Sequence, residues 1–334
     1  GEAASHNFAA ARDHAIRLTT LAPTKSYPFE ILGDAQLELG QYEEAAATYA
    51  KLEQLAGSTV NTETRLARLA MLRGNNDDAR DRFSKALQLA QELTPASPET
   101  VAWCQWQLGE TAFAIGDYAA AEQYYHDALA AAPEYLQALA SLGRVRAARG
   151  DLPGAIARYE RAVEIDPMPV FVAALADLYQ LAGQEKQAAM QRGAILDASR
   201  SAIDARLDNR QLVLFYADHD LRAGEAYAGA AREYEVRRDI YGADAVAWTA
   251  LKAGKLREAQ AAIQQALALG TRDARLFYHA GMIAKASGDA AACRQYLTRA
   301  LNLNPHFDPL QSKLARDTLT QLRAHAQTTD ALVR

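Results

Sequence analysis

Cysteine is nearly missing: Cys104 and Cys293 are the only two in 334 residues. They stand far apart in the chain, so no disulfide or metal framework can be read from them, and both are expected to be buried small hydrophobes. No apolar run approaches the roughly 18 to 20 residues that span a bilayer, and no charged, apolar, small-residue succession at the start reads as a signal peptide. An excess of one charge is also lacking, with 36 basic residues against 41 acidic ones interspersed along the chain, a net of -5. That excludes the electrostatic footprint of a general nucleic-acid binder. Glycine and proline are sparse, at 19 and 10, which excludes collagen-like and low-complexity chains. There is no His-Glu-x-x-His pair, no phosphate-cradling glycine loop and no nucleophile elbow. Catalytic residues, cofactors and bound metals are accordingly not expected. What remains is an alanine-rich chain, half of it hydrophobic, which predicts a helical protein.

Self-similarity gives that helical chain its order. Glycines recur at Gly40, Gly74, Gly116, Gly150, Gly183, Gly224, Gly254 and Gly288, and four of the seven spacings are 33 or 34 residues. Seven positions before each stands a small residue (Gly33, Ala67, Gly109, Gly143, Ala176, Ala217, Ala247, Gly281), and five positions after each another (Ala45, Ala79, Ala121, Ala155, Ala188, Gly229, Ala259, Cys293). Two helices touch closely only where both are thin. A bulky residue follows four positions further on in most repeats, as Tyr49, Phe83, Tyr125, Tyr159, Ile263 and Leu297, on the same helical face. Pro133, Pro167 and Pro305 stop the second helix before the next hairpin begins.

These positions resemble the tetratricopeptide signature: Leu108, Gly109, Gly116-Asp117-Tyr118, Ala121, Tyr125, Ala128 and Pro133 match its small, aromatic and proline sites in a 34-residue helix-turn-helix. The resemblance implies an all-α solenoid, a right-handed superhelix of antiparallel helical hairpins. Arg192 and Glu233 stand at the aromatic position in the repeats centred on Gly183 and Gly224, where packing should differ. A narrower resemblance, carried by Gly270 to Ala284, Leu301 to Leu310 and Asp218-His219, is to a group of uncharacterised bacterial tetratricopeptide proteins. It implies a bacterial, exported or cytoplasmic origin and brings no activity with it.

The ladder divides the chain into a half repeat at 1–23, eight hairpins at 24–308, and a capping helix with a frayed tail at 309–334. Its start on Gly1, inside a half repeat, reads as upstream sequence removed. Two long spacings predict lengthened second helices near 76–94 and 184–207.

Stacked hairpins curve and turn their first helices inward. Positions 13, 10, 6 and 3 before each glycine should line that concave side. They select Trp103, Trp106, Glu110 and Phe113 in the third hairpin as the preferred hot spot, although the two indoles could equally fill the joint with the preceding helix. Further groove positions at or beside these offsets are Tyr27, Glu30, Asp34 and Glu38 in the first hairpin, Arg65 and Arg68 in the second and Arg144 in the fourth. Asp177, Asp218, Trp248, Tyr278 and Lys285 complete the set. Such mixed charge suits a protein partner or an extended peptide. The Lys/Asn pairs of carboxylate-clamping tetratricopeptide domains are absent from the first four hairpins, which read Glu30/Asp34, Thr64/Arg68, Trp106/Glu110 and Ala140/Arg144. The expected function is a non-catalytic binding scaffold. The alternatives are an accessory subunit of a bacterial envelope or secretion assembly, and a binder of small apolar ligands.

Overall fold

The computed structural model describes the backbone of residues 7–204 and 210–333 and the side chains of 7–196 and 210–324. Residues 1–6 of the expected half repeat, 205–207 of the second lengthened helix, and Arg334 lie outside the described residues.

Among the described residues there are eighteen helices and no strand. A single helix α1 (Phe8–Leu21) precedes eight hairpins. The first four are α2 (Tyr27–Glu38) with α3 (Tyr42–Ala56), α4 (Val60–Leu72) with α5 (Asn76–Glu92), α6 (Pro98–Ala114) with α7 (Tyr118–Ala131), and α8 (Leu136–Ala148) with α9 (Leu152–Ile165). The next four are α10 (Pro169–Leu181) with α11 (Glu185–Asp204), α12 (Arg210–Asp218) with α13 (Ala223–Val236), α14 (Ile240–Lys252) with α15 (Leu256–Leu267), and α16 (Ala274–Ala286) with α17 (Ala290–Leu303). A final helix α18 (Gln311–Val333) follows, and its backbone stays helical to Val333 where fraying is expected from the sequence. The hairpins stack into a right-handed solenoid.

Each turn is built the same way. Gly40 takes a left-handed φ of 71°, which lets its N–H reach Leu37 O while the Gln41 N–H reaches Gln36 O, so the last carbonyls of α2 are satisfied. Acidic side chains then start several second helices: Asp117, Asp151 and Asp289 accept from the backbone N–H three residues on. At the joints the thin residue of the first helix meets the bulky residue of the second, where the sequence predicts thin against thin. A Cβ on Gly33 would come within 2.2 Å of the Tyr49 ring, and one on Gly109 within 2.3 Å of Tyr125. Tyr49, Phe83, Tyr125, Ala45 and Ala121 are wholly buried.

The sixth hairpin corrects the glycine ladder. Gly224 lies inside α13, and the left-handed residues of that turn are Asp220 (φ 53°) and Arg222 (φ 44°). Asp220 N–H bonds to Ala217 O and Leu221 N–H to Tyr216 O, the pattern made by Gly40 and Gln41. Asp220 therefore holds the turn position, since a short polar side chain tolerates the left-handed region. The true spacing to Gly254 is the regular 34 residues.

The superhelix also closes on itself. On one edge, the turns at Gly40, Gly74 and Gly116 lie against the segments that lead into α14, α16 and α18: Arg238, Gly270 to Arg272, and Leu303 to Pro305. Arg237 ion-pairs with Glu38, and Ile240 N–H donates to the Tyr42 hydroxyl at 2.8 Å. The Thr271 hydroxyl donates to Leu72 O, and Asn304 Nδ2 donates to Phe113 O at 2.7 Å. Tyr118 donates to Asn304 Oδ1 at 2.5 Å and accepts from the His306 N–H at 3.1 Å. One apolar cluster runs across this seam, from Leu37, Leu69 and Leu72 to Ile240, Ala243 and Ile283.

Candidate functional site

Closure turns the concave face into a chamber of about 910 Å³. Its walls come from the inward side of the first helices: Met71 on α4, Glu110 and Phe113 on α6, Arg144 on α8, Arg210 and Leu214 on α12, Tyr241 and Asp244 on α14, and Arg275 on α16. Glu233, Arg237, Asp273, Asn304 and Phe307 close it from the loops and second helices.

The charges on these walls are held in pairs between hairpins. Glu110 Oε1 accepts from the Tyr125 hydroxyl at 2.7 Å, from Ser141 at 2.8 Å and from Arg144. Burial alone would raise the Glu110 pKa, but the Arg144 guanidinium and the hydrogen bonds from Arg144, Tyr125 and Ser141 together outweigh it, and the carboxyl sits below its ordinary range. Arg144 also lies over the Phe113 ring at 4.1 Å. Arg210 bridges Glu233 and Asp239, each at 3.0 Å. Arg275 reaches Asp308 at 3.1 Å.

A second group gathers where α10, α12, α14 and the start of α18 meet. Asp218 Oδ1 accepts from the Trp248 indole at 2.8 Å and from Gln311 at 2.7 Å. Asp177 lies 3.2 Å from the His219 ring. Burial first, then the charges of Asp308 and Asp218, push the Asp177 carboxyl up to about 8. Burial, followed by the charge of Arg192, pushes His219 down. Among the described residues no group of three or more His, Cys, Asp or Glu side chains could hold a metal ion.

Not all of the residues selected from the sequence reach the chamber. Glu110, Phe113 and Arg144 face the chamber. Trp103 packs edge-on against Phe83 at 6.0 Å, in the joint with the preceding hairpin. Trp106 fills the following joint, against Tyr135 at 6.4 Å, with its indole donating to Ser141. Trp248 and Tyr278 are core residues, 2% and 1% exposed, and Trp248 stacks on His279 at 4.2 Å. Arg65 is taken up by Asp34 and Glu30, Arg68 by Glu38, and Lys285 reaches Thr318 on the capping helix. Asp177 and Asp218 belong to the carboxylate group, and Tyr27 is half exposed.

Several wall residues were not selected. Tyr241, Asp244 and Arg275 sit 13, 10 and 13 positions before Gly254, Gly254 and Gly288, so the groove rule itself reaches them. Arg210 and Leu214 emerge only when the sixth turn is moved to Asp220, which puts them 10 and 6 positions before it. A short polar residue four positions ahead of an apparent turn glycine was the available signal.

Models of the tetratricopeptide repeat match residues 30–59, 58–134, 107–167 and 274–307. Among solved structures, MamA is 23% identical over 52% of this chain and 97% of its own, with a TM-score of 0.42. BtubC (BKLC) from P. vanneervenii is 19% identical over 59% of this chain and 89% of its own, with a TM-score of 0.49. YrrB, described as a TPR protein with an unusual peptide-binding site, is 18% identical over 56% of this chain and 93% of its own, with a TM-score of 0.40. Among functionally curated proteins none matches this chain. Among the described residues no helix is long and apolar enough to cross a membrane. Hairpins that nest a glycine against a tyrosine, repeated along the chain and recognised by several models of one repeat, make this a tetratricopeptide repeat protein.

Proposed function

We propose that the protein is a non-catalytic scaffold that receives a segment of a protein partner inside its superhelix. The observation that carries this reading is the chamber itself: its walls present apolar surfaces at Phe113, Leu214, Tyr241 and Phe307 beside preformed ion pairs at Arg144, Arg210 and Arg275. Guanidinium groups already held by a carboxylate lose little freedom when they hydrogen-bond a peptide backbone, so recognition would be preorganised. Aromatic and aliphatic patches between them would take the partner's side chains as anchors. The same charged lining disfavours a purely apolar ligand, which would strip water from ionic groups without replacing it. Glu110, Phe113, Arg144, Tyr241 and Arg275 are the residues assigned to contact.

Photo-crosslinking tests the reading. A photoreactive amino acid at Tyr241, inside the chamber, and another at exposed Lys51 on a second helix are compared for capture of the same partner, with the crosslinked peptide mapped. Capture through Tyr241, lost in Phe113→Ala, is the expected result. Capture through Lys51 alone would remove the chamber from the binding account.

A further inference from the structure

We infer that the seam is a gate: the closed superhelix exchanges with an open form in which the early turns part from the late loops, and large molecules reach the chamber faster through that form. In a solenoid each hairpin rests on its neighbours alone, so the joints can stay packed while small rotations accumulate along the stack. The seam is where this chain departs from nearest-neighbour contact, joining residues 186 to 199 positions apart in sequence. Opening it leaves the buried joints at Phe83 and Tyr125 intact, because neither of their clusters reaches the edge, whereas the apolar cluster that joins Leu37 and Tyr49 to Ile240 and Ile283 spans it and has to part. Its polar contacts are the Arg237–Glu38 ion pair, the Tyr118–Asn304 side-chain bond and four single side-chain bonds to backbone groups: Tyr42 to Ile240, Thr271 to Leu72, Asn304 to Phe113 and Tyr118 to His306. All of these groups can be taken over by water at the rim, where Tyr42 and Tyr118 are already partly exposed. The open-edge turns supply the contrast, since a Cβ on Gly150, Gly183, Gly254 or Gly288 would meet nothing within 4 Å.

Opening of the seam can be followed without a partner. Tyr241→Cys places a single reactive thiol in the chamber, because Cys104 and Cys293 are both 0% exposed. A small methanethiosulfonate and a 5-kDa polyethylene-glycol maleimide are reacted with this protein and with the same protein carrying Thr271→Val and Tyr118→Phe, neither of which lines the chamber. The small reagent is expected to react at the same rate in both, and the large one at least tenfold faster in the seam variant. Equal rates for the large reagent in the two proteins would overturn the gate. Hydrogen exchange on the unaltered protein guards against a variant that folds poorly. The Ile240 and His306 amides, held by the Tyr42 and Tyr118 hydroxyls, should exchange at least tenfold faster than mid-helix amides of α8 and α10. Exchange of all of them at one common rate would mean that the seam parts only on global unfolding, and the inference would fail.

Discussion

Hairpins four and five and the seam hairpins are made from the same repeat, yet their turn glycines live in different surroundings. Gly150 and Gly183 face open space, whereas a Cβ on Gly40 would sit 2.4 Å from Arg238 O and one on Gly74 2.6 Å from Gly270 O. All four have positive φ, so the backbone demand is common and only the second demand, room for the opposite edge, is particular to the seam. Charge differs in the same way. At the seam, burial would raise Glu38, but Arg68 and Arg237 outweigh it and hold its carboxyl low. In the middle of the chain, Asp177 is left among carboxylates and is pushed up. The repeat therefore specifies a joint, and the superhelical turn decides what each copy of that joint must tolerate.

A substitution at a joint common to both regions sets the largest scale. Gly109→Leu should drive a side chain into the Tyr125 ring and cost about 3 kcal/mol in denaturant unfolding. Gly143→Leu, against Tyr159, should match it; a wild-type midpoint in either would contradict the packing. Next comes Asp177→Asn. A carboxyl whose folded pKa lies above its unfolded value of about 3.9 loses stability as pH rises between the two, so the asparagine variant should be more stable by about 2 kcal/mol at pH 8 and unchanged near pH 4. An equal effect at both values would mean that its proton plays no part.

The seam is isolated by a paired comparison. Gly150→Ala should cost about 1 to 2 kcal/mol for a left-handed alanine, and Gly40→Ala about 1 to 2 kcal/mol more for the clash with Arg238 O. Equal costs would say that the edges do not meet in solution. The smallest expected effect is Glu38→Gln, about 1 kcal/mol because Arg68 and Arg237 remain partly exposed. Its sign with pH is the reverse of Asp177. A lowered carboxylate stabilises above its unfolded pKa of about 4.3 and loses that contribution as pH falls through the folded value. Melting curves from pH 7 to pH 3 should therefore converge for the variant and the unaltered protein at the acid end.

The parts that were legible in sequence are those in which neighbours decide the outcome. Gly33 with Tyr49 and Gly109 with Tyr125 can be paired by spacing alone, because the partner always lies sixteen residues away on the adjoining helix. The sixth hairpin was misplaced because Asp220 does a glycine's work and a true glycine stands four residues later inside α13; Arg210 and Leu214 were hidden with it. Trp103 and Trp106 could not be assigned by spacing, since residues three apart on α6 can serve the joint on either side, and these serve one each.

Residue order by itself determined the helical hairpin, its thin and bulky contacts, and which helix of each pair turns inward, because every one of those contacts is made within a repeat or with the next. The closure of the superhelix, the chamber it encloses and the meeting of Glu38 with Arg237 were decided only by tertiary structure. The reason is cumulative: the rotation at each joint is small and carries no distinctive residue, and only the sum over six hairpins brings the late loops back to the early turns.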